Sequence, residues 1–409
     1  MEILTFGCSF NQAESEAIRG LLRENGLEHA PVTVVNTCTV KSPTETKILR
    51  LLRKLEAENR KVVVTGCIPP ARPSVVAEFP SFSFIGVNVR DVVEAVKAAA
   101  SKGRYVNIAS SGEKSCLPRI RGNPVVGILP IAEGCLGGCS FCQTKLARGN
   151  LVSYPLKKLV HEVRGMVADG VVEIWVTAQD AGAYGLDIGS SLPELLSDIA
   201  DVEGDFMVRV GMMNPDHALK MLDDLVKAYR SEKVYKFLHL PVQSGDDGVL
   251  EDMGRGYTAD GFREVVDAFR KHNTTLSTDV ILGYPTEDEK AFQNTVELIE
   301  EVKPDVLNST RYWPRPGTRA AKLKPLPGNE IKRRSRMING VFKKVGLGMN
   351  REWVGWEGKA LVSEKNRDGT YTARNRWYKP IIVKKGRLGG WADVRVEKAT
   401  YYDLRAVVV

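Results

Sequence analysis

Several kinds of segment are missing from this chain of 409 residues. No run of about 18 apolar residues occurs, so neither a membrane-spanning helix nor a membrane partner is expected. The beginning of the chain, Met1 to Ile3, lacks the basic region and the small-residue cleavage site of a secretory signal, which predicts a cytoplasmic protein. Internal repeats longer than one strand–helix unit and low-complexity tracts are also missing. With 43% apolar residues, the chain is predicted to be globular, with two or three domains.

The chain has seven cysteines, which is an odd number. Without a secretion signal, this number argues against a disulfide framework and favours metal or redox chemistry. The net charge of +8 suits a polyanionic partner, although a modest excess of solvated lysines gives the same total. Charge alone therefore leaves open whether the partner is a nucleic acid.

Strand and helix patterns predict an α/β fold with domains at residues 1–115, 120–350 and 351–409. In the first domain, strand-like runs alternate with helical patterns, which predicts a parallel α/β sheet followed by a linker at Ser110–Ser115. The second domain has six βα units, which predict an open, partial (β/α)6 barrel closed by a short basic helix around Glu330–Val345. The third is rich in Val, Tyr, Trp and Gly turns, which predicts a small antiparallel β-barrel. The strand-like runs are residues 1–6, 32–35 and 62–65 in the first domain, and 125–131, 173–177, 206–210, 236–240, 276–282 and 306–310 in the second.

Cys135, Cys139 and Cys142 lie in one loop directly after a predicted strand. Three thiolates leave one iron of a four-iron cluster open to a small molecule, whereas a structural cluster usually has a fourth protein ligand. A structural zinc loop is the alternative, but zinc normally requires a fourth Cys or His, and none follows Cys142 at a suitable spacing. The loop therefore predicts a substrate-activating iron–sulfur cluster.

Cys8, Cys38 and Cys67 each lie one or two residues past a predicted parallel strand. The carboxyl ends of parallel strands meet at one edge of a sheet, where ligands collect. A lone cysteine is commonly a small buried hydrophobe, but three at equivalent positions predict a second cluster with an open iron. Cys116, in the linker, has no such companions and is expected to be an unligated thiol.

The cysteine motifs resemble those of the methylthiotransferase family. They are Phe6-Gly-Cys8-Ser-Phe-Asn11, Asn36-Thr-Cys38-Thr-Val40, Thr65-Gly-Cys67 and Glu133-Gly-Cys135, and the resemblance covers essentially the whole chain. Residues 36–43 and 145–155 are most similar to the archaeal and eukaryotic branch, which modifies N6-threonylcarbamoyladenosine at position 37 of tRNA. Gly254 departs from the family pattern, in which Arg is common.

The resemblance implies a fold, cofactors and a reaction. It implies that the partial barrel is a radical S-adenosylmethionine (radical SAM) domain, that the C-terminal barrel is a TRAM domain, and that the cofactors are two [4Fe-4S] clusters and S-adenosyl-L-methionine. Cys135, Cys139 and Cys142 would then hold the catalytic cluster that cleaves the cofactor to a 5′-deoxyadenosyl radical. A radical is required because the C2 hydrogen of adenine is neither acidic nor hydridic enough for a side-chain acid or base. The cluster at Cys8, Cys38 and Cys67 would present the sulfur.

Barrel strand ends supply further candidates, because barrels of this type build their sites at the carboxyl face. Contact with S-adenosylmethionine is predicted for Gln179, Asp180, Arg209, Gln243 and Asp279, with a structural strand-end cap as the alternative for each. Contact with RNA is predicted for Arg311, Arg315, Arg374, Arg376, Lys384 and Lys385. From residue 351 onward, thirteen Lys and Arg stand against seven Asp and Glu, and interleaved aromatic rings suit base stacking, unless they fill the barrel core.

The expected partners are the anticodon loop of tRNA and an electron donor protein such as flavodoxin or ferredoxin, and the chain is expected to be a monomer. Three alternatives remain open. In the first, a methylthiotransferase acts on N6-isopentenyladenosine-37. In the second, it acts on an aspartate of a ribosomal protein, although the basic tail would be repelled by a basic ribosomal protein. In the third, the chain is a non-catalytic iron–sulfur protein that binds RNA or senses redox state.

Overall fold

A computed structural model describes residues 1–40, 42–109 and 112–409. Lys41, and Ser110 and Ser111 of the predicted linker, lie outside the described residues. The elements form a parallel sheet, a partial barrel and a small closed barrel in succession. The predicted α/β fold class is therefore confirmed.

The first sheet is fully parallel, in the order β1-β2-β3-β4-β5. Every residue of β2 and β3 is buried, as expected for strands that helices cover on both faces. One apolar core forms against α1 and α5, and a second forms against α2 and α4. The elements are β1 (Glu2–Thr5), α1 (Ser9–Glu24), β2 (Thr33–Thr37), α2 (Ser42–Ala57), β3 (Val62–Gly66), α3 (Ile68–Ala71), α4 (Val75–Glu78), β4 (Ser83–Ile85), α5 (Val92–Ala100) and β5 (Val106–Asn107).

Six parallel strands form the partial barrel, and they coincide with the six predicted runs. They are hydrogen-bonded in two groups of three, and a parallel bridge between Val208 and Val234 joins the groups. The strands are β6 (Val126–Pro130), β9 (Glu173–Thr177), β10 (Met207–Val210), β11 (Phe237–His239), β12 (Thr275–Leu282) and β13 (Val306–Arg311). A two-stranded hairpin, β7 (Ala132–Glu133) with β8 (Val152–Ser153), lies beside the first of them.

The barrel helices are amphipathic and cover its outer face. On α7, for example, Leu159, Val160, Val163 and Met166 are buried, which is the predicted 3.6-residue pattern. The helices are α6 (Thr144–Arg148), α7 (Leu156–Ala168), α8 (Leu192–Ala200), α9 (Pro215–Lys220), α10 (Leu222–Ala228), α11 (Asp247–Asp252), α12 (Ala259–Arg270), α13 (Glu289–Val302) and α14 (Gly328–Arg351). The basic helix α14 has 24 residues and is longer than the predicted range.

The C-terminal barrel is closed, in the order β14-β15-β16-β18-β17. Its pairs are antiparallel, as predicted, except that β16 and β18 run parallel. Its strands are β14 (Glu357–Lys365), β15 (Tyr371–Arg374), β16 (Pro380–Val383), β17 (Trp391–Ala399) and β18 (Leu404–Val408).

The closed barrel packs against the amino ends of the partial-barrel strands. Thr275, the first residue of β12, donates to the Trp377 carbonyl at 2.7 Å, and Lys379 pairs with Asp305 just before β13 at 2.6 Å. The carboxyl ends of these strands lie about 25 Å away, because β12 has eight residues at about 3.3 Å each. No helix in the described part of the chain is long and apolar enough to cross a membrane.

Candidate functional site

The first cysteine site, Cys8, Cys38 and Cys67, forms at the carboxyl edge of the N-terminal sheet. Asn11 holds its backbone, because its amide donates to the Thr37 carbonyl at 2.9 Å while its oxygen lies 3.4 Å from the Cys8 sulfur. The Cys67 N–H donates to the same Thr37 carbonyl at 3.0 Å. The three strand ends thus bring the three cysteines together, as the sheet topology predicts.

Electrostatic coupling among these thiols supports their proximity. Burial, with smaller contributions from the charges of Glu14, Cys38 and Cys8, raises the pKa of Cys67 to about 12 against the lowering effect of Arg148. The pKa of Cys38 is likewise raised by burial and by Cys8. Without a metal the raised pKa values keep Cys38 and Cys67 neutral at pH 7, and metal binding has to displace their protons.

The cysteine loop, Cys135–Cys142, follows β6 at the carboxyl face of the partial barrel. Its entry requires glycine at position 134, where φ is +77° and a Cβ would lie 1.9 Å from the Asn150 carbonyl oxygen. Burial raises the pKa of Cys135 to about 11, and the charges of Cys139 and Cys142 contribute to the increase. The three thiols of the loop are therefore also close together.

Basic side chains surround the cysteine loop. The Arg255 guanidinium donates to the Cys139 sulfur at 3.1 Å. Lys145 donates to the Gly137 carbonyl at 3.1 Å, and Arg319 donates to the Gly138 carbonyl at 2.7 Å. These donors place positive charge beside the loop, which favours negative charge there.

A hydrogen-bond network joins the two cysteine sites. Thr39, next to Cys38, donates to the Gln143 side chain, next to Cys142. The Arg315 guanidinium bonds to the Thr39 hydroxyl at 2.7 Å and to the Gln143 oxygen at 2.8 Å. It also pairs with Glu45 at 2.7 Å. Because the Arg315 side chain is only 7% exposed, these contacts form an enclosed bridge between the N-terminal sheet and the partial barrel.

A second buried network lies beside the first cysteine site. Glu14 and Glu133 each accept from Lys114 at 2.6 Å, and Arg148 donates to Glu14 at 2.8 Å and to Glu133 at 2.7 Å. All four side chains are at most 5% exposed. Two positive and two negative charges therefore compensate one another where α1, the linker, β7 and α6 meet.

Two observations test whether the cysteines fit iron–sulfur clusters. A Cβ on Gly137 would lie 3.3 Å from the Cys135 sulfur and 3.6 Å from the Cys139 sulfur, so glycine leaves space beside both sulfur atoms. Within residues 1–40, 42–109 and 112–409, no three His, Cys, Asp or Glu side chains converge as a single metal ion requires. A cluster binds each thiolate through a different iron and accepts wider spacing. Three cysteine thiols at each site, with space beside the sulfur atoms of the cysteine loop, are the donor set that an iron–sulfur cluster uses.

Gln179 and Asp180 contact the protein around the cysteine loop. The Gln179 oxygen accepts from the Gly134 N–H at 2.7 Å. Asp180 is buried, and it accepts from the Gly182 N–H at 3.1 Å and from the His217 ring at 2.8 Å. These contacts match the alternative of a structural strand-end cap.

Arg209 on β10 and Asp279 on β12 lie on either side of β11, and Gln243 lies in the segment after β11. His239 connects the first two, because its Nδ1 lies 3.3 Å from Arg209 and its Nε2 lies 2.7 Å from Asp279. The Gln243 N–H donates to the Asp279 carbonyl at 2.8 Å, with a left-handed φ of +71° at Gln243.

The predicted RNA-contacting residues are dispersed. Arg311 is exposed at the carboxyl end of β13, and Lys384 and Lys385 are exposed after β16. Arg374 stacks on Tyr378 with its guanidinium carbon 4.5 Å from the ring centroid, and Arg376 pairs with Glu232. Arg315 differs from its predicted role, because its buried guanidinium is committed to protein partners.

Several residues of the site were not identified from the sequence. They are Glu14, Thr39, Glu45, Lys114, Glu133, Gln143, Arg148 and Arg255. Glu133 and Gln143 flank the cysteine loop, and Thr39 follows Cys38 directly. Their position next to predicted cluster ligands was therefore a sequence signal that could have identified these three residues. Glu14 and Lys114 have no such signal in the sequence.

Three family profiles match the chain. Radical SAM superfamily matches residues 129–299, Uncharacterized protein family UPF0004 matches residues 1–85, and TRAM domain matches residues 352–409. Each of the three folded units described above therefore contains one match.

Similar proteins cover almost the whole chain. A probable threonylcarbamoyladenosine tRNA methylthiotransferase from Pyrococcus horikoshii is 44% identical, covering 97% of this chain and 96% of its own. The threonylcarbamoyladenosine tRNA methylthiotransferase from Mus musculus is 39% identical, covering 94% of this chain and 69% of its own.

Solved structures with similar folds are more distant in sequence. The radical S-adenosylmethionine methyltransferase TsrM from Kitasatospora setae has a TM-score of 0.54 at 15% identity, covering 73% of this chain and 70% of its own. The cobalamin-dependent S-adenosylmethionine radical enzyme OxsB has a TM-score of 0.54 at 11% identity, covering 83% of this chain and 56% of its own. At these identities the likeness concerns the fold alone.

Proposed function

Because the chain belongs to the family of threonylcarbamoyladenosine tRNA methylthiotransferases, we propose that it replaces the C2 hydrogen of N6-threonylcarbamoyladenosine-37 in tRNA with a methylthio group. The observation that carries the proposal is the joining of the two cysteine sites through Thr39, Gln143 and Arg315. We infer that the base binds beside this bridge, because the two cysteine sites are joined there.

The cofactors are S-adenosylmethionine and two [4Fe-4S] clusters. Cys135, Cys139 and Cys142 would hold one cluster, and Cys8, Cys38 and Cys67 would hold the other. When bound, these groups supply the one-electron chemistry that removes the hydrogen and the sulfur that replaces it.

The residues around the cysteine loop prepare it to hold a charged group. Arg255 places its guanidinium 3.1 Å from the Cys139 sulfur. Gln179 holds the Gly134 backbone at the loop entry. Arg209, Gln243 and Asp279 remain candidates for S-adenosylmethionine, and the hydrogen bond between His239 and Asp279 orients that carboxylate. Asp180 is a weaker candidate, because its carboxylate already bonds to protein groups.

We further propose a division of the chain at residues 1–115, 120–350 and 351–409, with the last domain binding tRNA through Lys384 and Lys385. Flavodoxin or ferredoxin is proposed as the electron donor, and the cytoplasm as the location. A monomer is also proposed, because one chain provides both cysteine sites and the bridge between them.

Nucleoside analysis tests the proposal. Cells that lack the gene should lose the 2-methylthio derivative of N6-threonylcarbamoyladenosine, measured by mass spectrometry of digested tRNA. Complementation with Cys38→Ala or Cys139→Ala should fail, because each removes one cluster ligand. Cys116→Ala is the matched control and should restore the product, because this exposed thiol belongs to neither cysteine site.

The same measurements separate the alternatives. Loss of methylthio groups from N6-isopentenyladenosine, or from a ribosomal-protein aspartate, would replace the proposed substrate. No 5′-deoxyadenosine on reduction of the reconstituted protein with S-adenosylmethionine would instead indicate a non-catalytic protein.

A further inference from the structure

The closed C-terminal barrel and the cysteine sites lie at opposite ends of the partial barrel. The closed barrel contacts the amino ends of the strands, and the cysteines follow the carboxyl ends. An RNA held by the closed barrel therefore has to extend about 25 Å along the protein to place a base at the cysteine sites.

Helix α14 spans this distance on the outside of the partial barrel. Its first turns pack beside the carboxyl end of β12, where Ile331 contacts Gly283 and Arg334 pairs with Glu287 at 2.8 Å. Its last turn reaches the closed barrel, where Asn350 donates to the Thr400 carbonyl at 2.9 Å. With 24 residues, the helix is about 36 Å long.

One face of α14 carries basic side chains without counterions. Lys332, Arg336 and Lys343 are exposed, and in the described part of the chain they make no hydrogen bond or ion pair; Lys343 lies over the Tyr401 ring, with its Nζ 5.5 Å from the ring centroid. They fall within about 40° of one another around the helix axis, at about 100° per residue. Their stripe is about 16 Å long, at 1.5 Å per residue.

The neighbouring positions favour close approach of a partner. Gly340 lies between Arg336 and Lys343, and no atom lies within 4 Å of the place that its side chain would occupy. In contrast, the basic residues Arg333 and Arg334 on the same helix are neutralised by Glu289, Glu330 and Glu287.

We propose that this stripe, Lys332, Arg336 and Lys343, contacts the phosphate backbone of the tRNA between its contact with the closed barrel and the modified base. The proposal rests on the proposed function, which names tRNA as the substrate. Phosphates are the partner that the chemistry favours, because Lys and Arg contacts to the backbone dominate RNA affinity and require no base sequence.

Binding of tRNA by the full chain tests the proposal without any cluster. Fluorescence anisotropy with labelled tRNA is measured at increasing NaCl concentration. The triple variant Lys332→Gln, Arg336→Gln, Lys343→Gln should bind more weakly and should reduce the slope of log affinity against log salt by about 2–3, at about 0.7–0.9 per phosphate contact. Far-UV circular dichroism verifies that the variant remains folded.

The matched control is the variant Lys220→Gln, Lys227→Gln, Arg230→Gln. It removes the same charges, two Lys and one Arg, from exposed positions on or next to α9 and α10, and it should retain nearly the whole slope. Equal slopes of log affinity against log salt for the two variants would overturn the proposal. Wild-type affinity of the α14 variant for tRNA would also overturn it, and would indicate that the stripe binds another acidic partner. If the wild-type chain does not bind tRNA, both this proposal and the proposed function are overturned.

Discussion

Substitution of Arg148 is the most direct test of the buried charge network that it forms with Glu14, Lys114 and Glu133. In Arg148→Met, Glu14 and Glu133 keep Lys114 as their one cation in the network, and one negative charge becomes uncompensated. Removing one partner of a buried ion pair typically costs about 3–5 kcal/mol. We therefore expect the free energy of unfolding at pH 7 to fall by about this amount, measured by urea titration with far-UV circular dichroism.

The pH dependence identifies the cause of this loss. Burial alone would raise the pKa of Glu14, but Arg148 and Lys114 outweigh burial and hold it at about 2, below its ordinary value of 4.5. A lowered pKa in the folded state stabilises the fold above pH 4.5, and this contribution is lost as the pH falls toward 2. Without Arg148 the folded pKa rises, so the difference between Arg148→Met and the wild type should shrink below pH 4.5.

A second substitution provides the control. Adding Glu14→Gln to Arg148→Met removes the uncompensated charge. The free energy of unfolding of the double variant should therefore be about 2 kcal/mol higher than that of Arg148→Met. A loss below about 1 kcal/mol for Arg148→Met, or strictly additive losses in the double variant, would refute the network as described.

Three other predictions concern the cysteine loop and its supports. Arg315→Lys keeps the charge but loses the planar fork, so 5′-deoxyadenosine should still form while methylthiolated product falls; an unchanged ratio of the two compounds contradicts the bridge. Arg255→Met removes a positive charge beside Cys139. The midpoint potential of the cluster at Cys135, Cys139 and Cys142 should therefore become more negative in a redox titration followed by electron paramagnetic resonance. An unchanged potential contradicts this contact. Gly254 has a φ of +70°, and its added Cβ would lie 3.0 Å from the Gly138 carbonyl, so Gly254→Ala should destabilise the fold by at least about 1 kcal/mol. Gly165→Ala, in open space on α7, should instead stabilise it by up to about 1 kcal/mol, and equal unfolding midpoints for the two variants would contradict the difference.

Much of the fold was predictable because its signals are local. The Val-rich run of β3, for example, is buried along its whole length, and alternation with amphipathic helices indicates a parallel sheet. The grouping of Cys8, Cys38 and Cys67 was also predictable, because parallel topology brings successive strand ends to one edge. These predictions require only periodicity and chain order.

The amino-acid sequence by itself determined the family, the three units and the two groups of cysteines. The tertiary structure decided which charges are buried and which are free. Arg315 lies 276 residues from Thr39, and Lys114 lies 100 residues from Glu14, so no local pattern predicts either contact. The placement of the closed barrel at the amino ends of the strands was also undetermined, because it depends on complementary side chains that meet only after each unit has folded.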